Sequence, residues 1–305
     1  AQQLATELGY RWMFVPQTKK EIVQFSQSDK FWKYMKDISN GSAIPYLQNF
    51  AIYKLYKNGI IPNNAVIMTG NSGDVLEGDQ MPECFAEERM YSRDELVDAI
   101  LNKHFRLGGR KCASNPEIRE AIIRQYKLKG EYDYEEIHNI YEQFNWRERQ
   151  SQFLFNDGLF YSDFCGLEWF FPLWDTEFVD YWLHVPTKLR YKRKFYYQYV
   201  HKEKLKTAND PTLYQMILEM AKNEMYNILS KFYIIKRVAE YELKGDRIWH
   251  LLNRKEYWKM LLVTGGVGTN SNTAVIWALL KKCFNIDVQK EVVFASKDAE
   301  EFKLK

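Results

Sequence analysis

The sequence predicts an α/β fold, with a parallel sheet flanked by helices and a large helical extension on the C-terminal side. Two apolar runs, at residues 10–17 and 65–68, end at a proline and at a glycine-containing turn, as buried strands do. Amphipathic helical patterns lie between and after these runs, which is the order that helical crossovers between parallel strands produce. Residues 211–260 are almost continuously helical in pattern. We therefore predict an α/β domain over 1–205 and a helical extension, packed on it, over 206–305.

The first helical patterns flank the two predicted strands. Leu4 and Leu8 lie four residues apart before Gly9, which indicates a short helix that ends at the glycine. Residues 18–38 predict a helix because apolar residues recur on one face, and residues 44–59 predict another that also ends at a glycine.

Amphipathic helices also follow the second predicted strand. Ser92 precedes Glu95 by three residues, the spacing of a capping box, so a helix is predicted over 92–105. The same periodicity predicts helices over 115–128 and 133–149.

The overall composition limits the class of protein. With 305 residues, 46% hydrophobic and 27% charged, the chain can bury a sizeable core. Its net charge of +3 is close to neutral and argues against nucleic acid as the partner. No apolar run approaches the roughly 20 residues that span a bilayer, and the first ten residues lack the pattern of a signal peptide.

Cysteine usage favours a reducing compartment. The four cysteines lie far apart and form no C-x-x-C pair, at positions Cys84, Cys112, Cys165 and Cys283. This spacing argues against a zinc site and against a disulfide framework, so we expect a cytoplasmic protein.

The most informative segment is the glycine-rich turn Thr69–Asp74, TGNSGD, directly after the apolar run AVIM. Backbone N–H groups of such a turn form an anion site when it lies at the carboxyl edge of a parallel sheet. A carboxylate there suits a site in which Mg²⁺ bridges Asp74 and a phosphate. The same composition also suits an ordinary surface turn, and the loop alone leaves both interpretations open.

Two later segments follow this loop in the order that one enzyme family shows. The first segment, LEWFFPLWD, contains Leu167, Glu168, Pro172 and Asp175 at the spacing of the family motif. The second, VPTKLRYKRK, contains Pro186, Leu189 and Lys194. Asparagine synthetases carry S-G-E-G-x-D-E after a strand, then L-E-x-R-x-P-F-L-D, then a lysine after a P-x-x-L helix end. The chain therefore resembles the synthetase domain of this family over roughly residues 1–205, as a single-domain relative without the glutaminase domain.

The resemblance implies a Rossmann-like fold of the PP-loop ATPase type, with ATP and Mg²⁺ as cofactors. Asp74 would hold the Mg²⁺, and Lys194 would stabilise charge on the adenylate or the leaving pyrophosphate. Val15, at the end of the early strand, would hold the adenine through main-chain contacts. The remaining residues implied in nucleotide binding are Thr69, Gly70, Asn71, Ser72 and Gly73. A basic run such as the one around Lys194 also suits a solvated face or an acidic partner.

We further predict that three signature residues, Glu168, Pro172 and Asp175, are structural and position the pocket wall. A buried carboxylate needs partners, so we expect Glu168 to be hydrogen-bonded to backbone or to a nearby Arg or Lys.

The chain departs from the family pattern in its phosphate loop. The fingerprint S-G-G-x-D-S is not found where the family carries it, and we expect it upstream of Ala1. The segment TGGVGT at 264–269 follows an apolar run and precedes a helical pattern, so it offers an alternative phosphate site. Gly268 stands where the family has Asp, and a connection between two helices is therefore favoured.

Two further departures concern the acceptor. Asn71 stands in the place of a glutamate, and an amide cannot act as a general base. Phe170 replaces an arginine and removes a permanent charge from the acceptor side. Both changes argue against free aspartate as the acceptor.

The function that the resemblance implies is an ATP-dependent ligase, which adenylates a carboxylate and transfers ammonia to it. A sugar acid of surface polysaccharides is one acceptor that single-domain relatives suggest, and ammonia would come from solution or from a separate glutaminase subunit. Two alternatives stay open: a non-catalytic nucleotide-binding or scaffold subunit, and a nucleotide- or tRNA-modifying enzyme that uses the basic run at 188–206. A homo-oligomer is also left open.

Overall fold

The computed structural model describes residues 2–39, 49–105, 115–202, 251–263 and 271–286. In the first half of the chain these residues form α1 (Gln2–Glu7), α2 (Lys19–Ser26), α3 (Asp29–Ser39), α4 (Phe50–Lys57), β1 (Val66–Met68), α5 (Gly73–Leu76), β2 (Tyr91–Ser92), α6 (Arg93–His104), α7 (Pro116–Gln125) and β3 (Glu131–Tyr132). The second half contains α8 (Tyr134–Phe144), α9 (Ser151–Leu159), β4 (Glu168–Phe170), α10 (Thr176–His184), α11 (Thr187–Arg190), α12 (Lys194–Lys202), α13 (Arg254–Val263) and α14 (Ser271–Phe284).

Side-chain caps explain where several of these helices begin. The predicted capping box is present at α6, where Ser92 accepts a hydrogen bond from the Glu95 backbone and Glu95 accepts one from the Ser92 backbone. The same reciprocal pairs open α2, at Thr18 and Glu21, and α8, at Asp133 and Glu136. Local sequence thus sets these helix starts, since each cap satisfies backbone donors that the first turn leaves free.

The parallel sheet consists of β1 and β4, with Val66 paired to Glu168 and Met68 to Phe170. Its second strand was not predicted as a strand, although its residues belong to the LEWFFPLWD segment. The pair β2–β3 is antiparallel and separate from this sheet. Over the described residues the fold is therefore mostly helical with a small parallel sheet, and it contains less sheet than the sequence predicts.

One predicted strand is wrong. Residues 10–17 form no strand, and Tyr10 and Phe14 are each 71% exposed. Aromatic and β-branched composition favours a strand only where a neighbouring strand supplies hydrogen bonds and a surface to pack on. No described strand lies beside this segment, so its composition alone misled the prediction.

The main hydrophobic core joins both predicted domains. Buried side chains of α3, such as Phe31 and Met35, belong to the same cluster as Tyr257 of α13 and Leu279 of α14. The described part of the C-terminal region therefore packs on the first domain. The segment 264–269 and most of 211–260 lie outside the described residues. Among the described helices, none is long and apolar enough for a bilayer crossing.

A second core lies under α6, α7 and α8. It is built from buried aliphatic and aromatic residues of these helices and of β2 and β3, including Leu96, Ile100, Ile137 and Tyr141. Helix α8 continues without interruption into α9 through a π-helical turn at Asn145–Gln150, and a second π turn follows at Phe160–Phe164. This continuous helix connects the second core to the sheet.

Candidate functional site

The loop Thr69–Asp74 leaves β1 at its carboxyl end, as the sequence predicts. Because β4 runs parallel to β1, the segment that follows β4 leaves at the same edge of the sheet. The two segments touch there, since a Cβ on Gly73 would lie 2.9 Å from Cδ1 of Leu173. A side chain larger than glycine at position 73 would require the end of the Leu173 side chain to shift. The loop Thr69–Asp74 and the LEWFFPLWD segment, which are far apart in the sequence, thus contact each other at this edge.

The loop turns into α5 at Ser72, whose φ of 71° is in the left-handed region. Few side chains other than glycine and asparagine adopt this conformation readily, so the turn needs support from its surroundings. The buried Ser72 provides it by donating a hydrogen bond from Oγ to Oε1 of Gln150, at 3.2 Å. The Asn71 backbone N–H approaches Oγ1 of Thr69 at 3.5 Å.

A buried carboxylate holds the side chain of Asn71. Asp157 on α9 is 3% exposed and accepts hydrogen bonds from Nδ2 of Asn71, at 2.5 Å, and from Nδ2 of Asn49, at 2.9 Å. Burial raises the pKa of Asp157, and the two amide donors oppose this shift. Since a carboxylate accepts hydrogen bonds, the amide nitrogen of Asn71 faces Asp157. The Asn71 oxygen is consequently the atom that this side chain can offer to a ligand.

A cavity of about 190 Å³ opens in front of the loop. It is lined by loop residues and by residues of α8–α9, namely Gly70, Asn71, Ser72, Asp74, Arg149, Gln150 and Phe153. The guanidinium of Arg149 lies over the ring of Phe153, 5.0 Å from its centroid. No described carboxylate pairs with Arg149, so the cavity combines a free guanidinium with a glycine-rich turn. Such a combination suits an anion.

The acidic residue of this cavity is Asp74, whose Oδ2 accepts a hydrogen bond from Nε2 of Gln80 at 2.7 Å. No cluster of three or more His, Cys, Asp or Glu suited to a metal is found among the described residues. Mg²⁺ bound to phosphates requires only one or two protein carboxylates, because phosphate oxygens and waters supply the other ligands. Asp74 therefore fits the implied Mg²⁺ in the presence of a nucleotide. The cavity is smaller than typical pockets for whole ligands, and its size fits phosphate groups.

The cations of the basic run have different surroundings. Lys194 is exposed, its Nζ lies 5.9 Å from the centroid of the Tyr191 ring, and it does not line the cavity in front of the loop. Its neighbour Arg193 is half-buried and pairs with Asp79 at 3.1 Å and with Glu77 at 3.5 Å. The arginine, rather than the lysine, thus contacts the segment that follows the loop.

Other cations of the run are engaged as well. Lys192 pairs with Glu83 at 3.0 Å, and Lys188 pairs with Glu88 at 2.7 Å. These ion pairs compensate the charges of Lys188, Lys192 and Arg193, which argues against these three side chains as contacts to a nucleic-acid backbone.

The remaining predicted positions lie in different settings. Val15 is half-buried in a segment without regular structure and does not line the cavity at the loop. Asp175 caps α10 by accepting from the backbone N–H groups of Glu177 and Phe178, which agrees with its predicted structural role. Glu168 is exposed, and no described residue bonds to its carboxylate, so the prediction of a buried, paired Glu168 is wrong. Its place in a strand of three exposed residues leaves its side chain in solvent.

A larger cavity of about 570 Å³ adjoins the segment after the loop. It is lined by Asp79, Gln80, Met81, Pro82, Glu83, Cys84, Arg89, Glu95, Asp98, Ala99, Asn102, Lys103 and Tyr141. Sequence reasoning missed this cavity, and Arg149 and Asp157 too. Neither Arg149 nor Asp157 belongs to a recognisable motif, and the cavity forms only where α6 and α8 pack around residues 79–84.

No protein-family model, curated protein or solved structure matches this chain. The resemblance to asparagine synthetases therefore depends on the three sequence motifs alone.

Proposed function

We propose that the protein is an ATP-dependent ligase of the asparagine synthetase type, which forms an amide from a carboxylate and ammonia. One observation carries this proposal: the parallel pairing of β1 and β4 brings the loop Thr69–Asp74 against the segment after β4, at the carboxyl edge. Open α/β folds bind their ligands at this edge. The assignment to the PP-loop ATPase fold is part of the same proposal, because the described parallel sheet has only two strands.

The cavity in front of the loop offers the groups that such a reaction needs. The loop backbone and the Arg149 guanidinium would hold the phosphates, and Asp74 would hold Mg²⁺, which would offset phosphate charge. In the reaction, the acceptor carboxylate attacks the α-phosphate and releases pyrophosphate, and ammonia then displaces AMP. Asn71 cannot take the ammonia proton, but its oxygen can accept a hydrogen bond from ammonia and orient it.

The test is acceptor-dependent release of pyrophosphate and AMP by the full chain. Asp74→Asn should abolish release because the Mg²⁺ ligand is lost. Arg149→Ala should lower the rate by about 10²-fold or more, the usual effect of removing one preorganised charge-stabilising donor. Lys188→Ala is the matched control, since this lysine forms its ion pair with the exposed Glu88, away from the cavity. Equal effects of Arg149→Ala and Lys188→Ala would contradict the proposed phosphate site.

The role of Lys194 needs a separate comparison. The resemblance implies a loss of about 10²-fold for Lys194→Ala. The geometry favours Arg193, which touches the acidic segment after the loop. We therefore expect Arg193→Ala to have the larger effect. A loss confined to Lys194→Ala would show that the lysine reaches the nucleotide when it binds.

A non-catalytic nucleotide-binding subunit is the second candidate, favoured by Asn71 in the place of a glutamate. ATP binding without acceptor-dependent turnover, for a panel of carboxylates, would favour it over the ligase. Free aspartate should be a poor acceptor in either case, and efficient formation of asparagine would overturn that expectation.

A further inference from the structure

One short stretch of the chain exposes a group of large apolar side chains. In the aromatic segment, residues 8–14 between α1 and α2, five of the seven residues are large, apolar and exposed. They are Leu8, Tyr10, Trp12, Met13 and Phe14, each between 38% and 71% exposed. Single exposed apolar residues are common on protein surfaces, whereas a group of them marks a contact surface for another molecule.

The rest of the fold holds this segment at both ends. At its start, the backbone N–H of Tyr10 donates a hydrogen bond to a carbonyl of α1 at 2.8 Å. Just beyond its end, the Pro16 carbonyl accepts a hydrogen bond from Nζ of Lys54 at 3.3 Å. The rings of Trp12 and Phe14 are stacked, with centroids 6.4 Å apart and an angle of 16° between their planes. The two rings therefore form one apolar surface on an anchored segment.

The charges in and beside the aromatic segment are mostly positive. Arg11 lies between the aromatic residues, Lys20 lies in the first turn of α2, and both are exposed. No described carboxylate pairs with either side chain. Residues 2–20 contain three basic residues and one acidic residue, Glu7, so their formal net charge is +2. A surface with this composition complements an anionic partner.

We propose that the aromatic segment binds the surface of an anionic lipid membrane, with its apolar side chains at the boundary between headgroups and acyl chains and Arg11 on the lipid phosphates. Tyrosine and tryptophan suit this boundary because each has an apolar body and a polar tip. Basic residues add attraction to the anionic lipids of a cytoplasmic leaflet. Adsorption at this depth requires no helix that spans the bilayer.

The composition of the segment favours lipid over nucleic acid. Leu8 and Met13 gain free energy when they leave water for the acyl boundary, but they offer no ring on which a base can stack. The few cations also fall short of the row of phosphate contacts that binding to a nucleic-acid backbone depends on. The inference does not rest on the proposed ligase, since it concerns a separate surface.

Flotation of the full chain with lipid vesicles, over a range of lipid concentrations, tests this inference. We expect binding to vesicles of phosphatidylcholine with phosphatidylserine, and binding several-fold weaker to phosphatidylcholine alone. Trp12→Ser with Phe14→Ser should weaken binding about tenfold or more, because two apolar side chains no longer leave water. Phe155→Ser is the matched control: it removes a ring of α9 that is 60% exposed, and it should leave binding unchanged.

The charge and the depth of insertion are tested by two further variants. Arg11→Gln should weaken binding to the anionic vesicles about fivefold, which corresponds to about 1 kcal/mol for one basic residue at such a surface. Lipids brominated on their acyl chains quench tryptophans that reach the acyl boundary. Of the nine tryptophans, Trp12 should account for most of the quenching. Trp12→Phe should therefore keep most of the binding and lose most of the quenching.

Several outcomes would overturn the inference: no binding of the wild-type protein to anionic vesicles, equal losses in the double variant and in Phe155→Ser, or equal quenching in wild type and Trp12→Phe. Binding of a labelled single-stranded oligonucleotide that the double variant abolishes, without vesicle binding, would assign the segment to nucleic acid instead. Thermal unfolding of each variant shows whether it is folded.

Discussion

At the scale of single residues, the pair Asn71 and Asp157 shows what the sequence reveals and what it leaves hidden. The departure at Asn71 is visible in the motif. Its partner is not, because Asp157 lies on a helix far along the chain and meets the loop only through packing. The same limit applies to Arg149. The position of a residue in a motif follows from the neighbouring sequence, whereas a contact between distant elements is known only from the folded structure.

Asp157→Asn should disturb both stability and the reaction. The substitution replaces one acceptor oxygen with an amide nitrogen, so either the buried Asn49 or the half-buried Asn71 loses its acceptor. The free energy of unfolding should fall by about 1–3 kcal/mol, the cost of one unsatisfied buried donor. Because Asn71 is then free to rotate, the KM for ammonium should rise more than kcat falls. A loss of stability with an unchanged KM for ammonium would mean that Asp157 only supports the fold.

The pH dependence of the same variant gives a further check. Burial raises the pKa of Asp157 above its ordinary 3.8, so on acidification the folded protein binds a proton before the unfolded chain does. This contribution to stability is present below pH 3.8 and is lost as pH rises through the folded pKa. The difference in unfolding free energy between wild type and Asp157→Asn should therefore grow, in favour of wild type, as pH falls from 7 towards 4. Urea titrations at several pH values measure it.

At the scale of elements, local signals were sufficient for helices and insufficient for strands. Capping residues and periodicity predicted α6, α7 and α8, since these signals act within one helical segment. Residues 10–17 had the composition of a strand but lacked a partner, while β4 was not predicted and found one in β1. The π turn that carries Arg149 and Gln150 also has no sequence signature. Such turns are frequent at functional sites.

Gly158→Ala tests how closely α9 packs on β4. Helix propensity alone predicts that alanine stabilises a helix interior, by up to about 1 kcal/mol. A Cβ at this position, however, would lie 2.6 Å from Cζ2 of Trp169, and a large ring cannot move aside cheaply. We expect overpacking to dominate and to lower the free energy of unfolding by about 1–3 kcal/mol. Gly130→Ala, where a Cβ has open space, is the control and should change stability by less than about 0.5 kcal/mol.

At the scale of the whole molecule, a buried ion pair connects the C-terminal part of the first domain to the second core. Arg190 of α11 donates to both carboxylate oxygens of Glu142 on α8, at 2.5 Å and 2.9 Å, and both side chains are buried. Nε of Arg190 donates to the Val185 carbonyl. The Arg190 backbone also packs against Gly78, where a Cβ would lie 2.4 Å from the Arg190 carbonyl oxygen. The pair thus positions the segment after the loop.

Removal of one partner of the Arg190–Glu142 pair should lower the free energy of unfolding more than removal of both. Arg190→Met leaves Glu142 buried without a counter-charge, so the free energy of unfolding should fall by about 3–5 kcal/mol at pH 7. In Arg190→Met with Glu142→Leu, no buried charge remains, and most of this loss should be recovered. A double-mutant cycle by urea denaturation measures the coupling. Additive losses from the two single substitutions would show that the pair contributes nothing beyond the individual side chains.

The single variant should also respond to pH in a defined direction. Burial already raises the pKa of Glu142 in the wild-type protein, and the Arg190 guanidinium opposes that shift. Without Arg190 the folded pKa rises further, so the folded state gains a proton over a wider range than the unfolded chain. Stability of Arg190→Met should then increase as pH falls from 7 towards 5, because the neutral acid costs less to bury than the carboxylate. Arg190→Met with Glu142→Leu has no titrating group at this position and should lack the added response. An equal pH dependence in the two variants would mean that Glu142 remains ionised and that solvent or another group replaces Arg190.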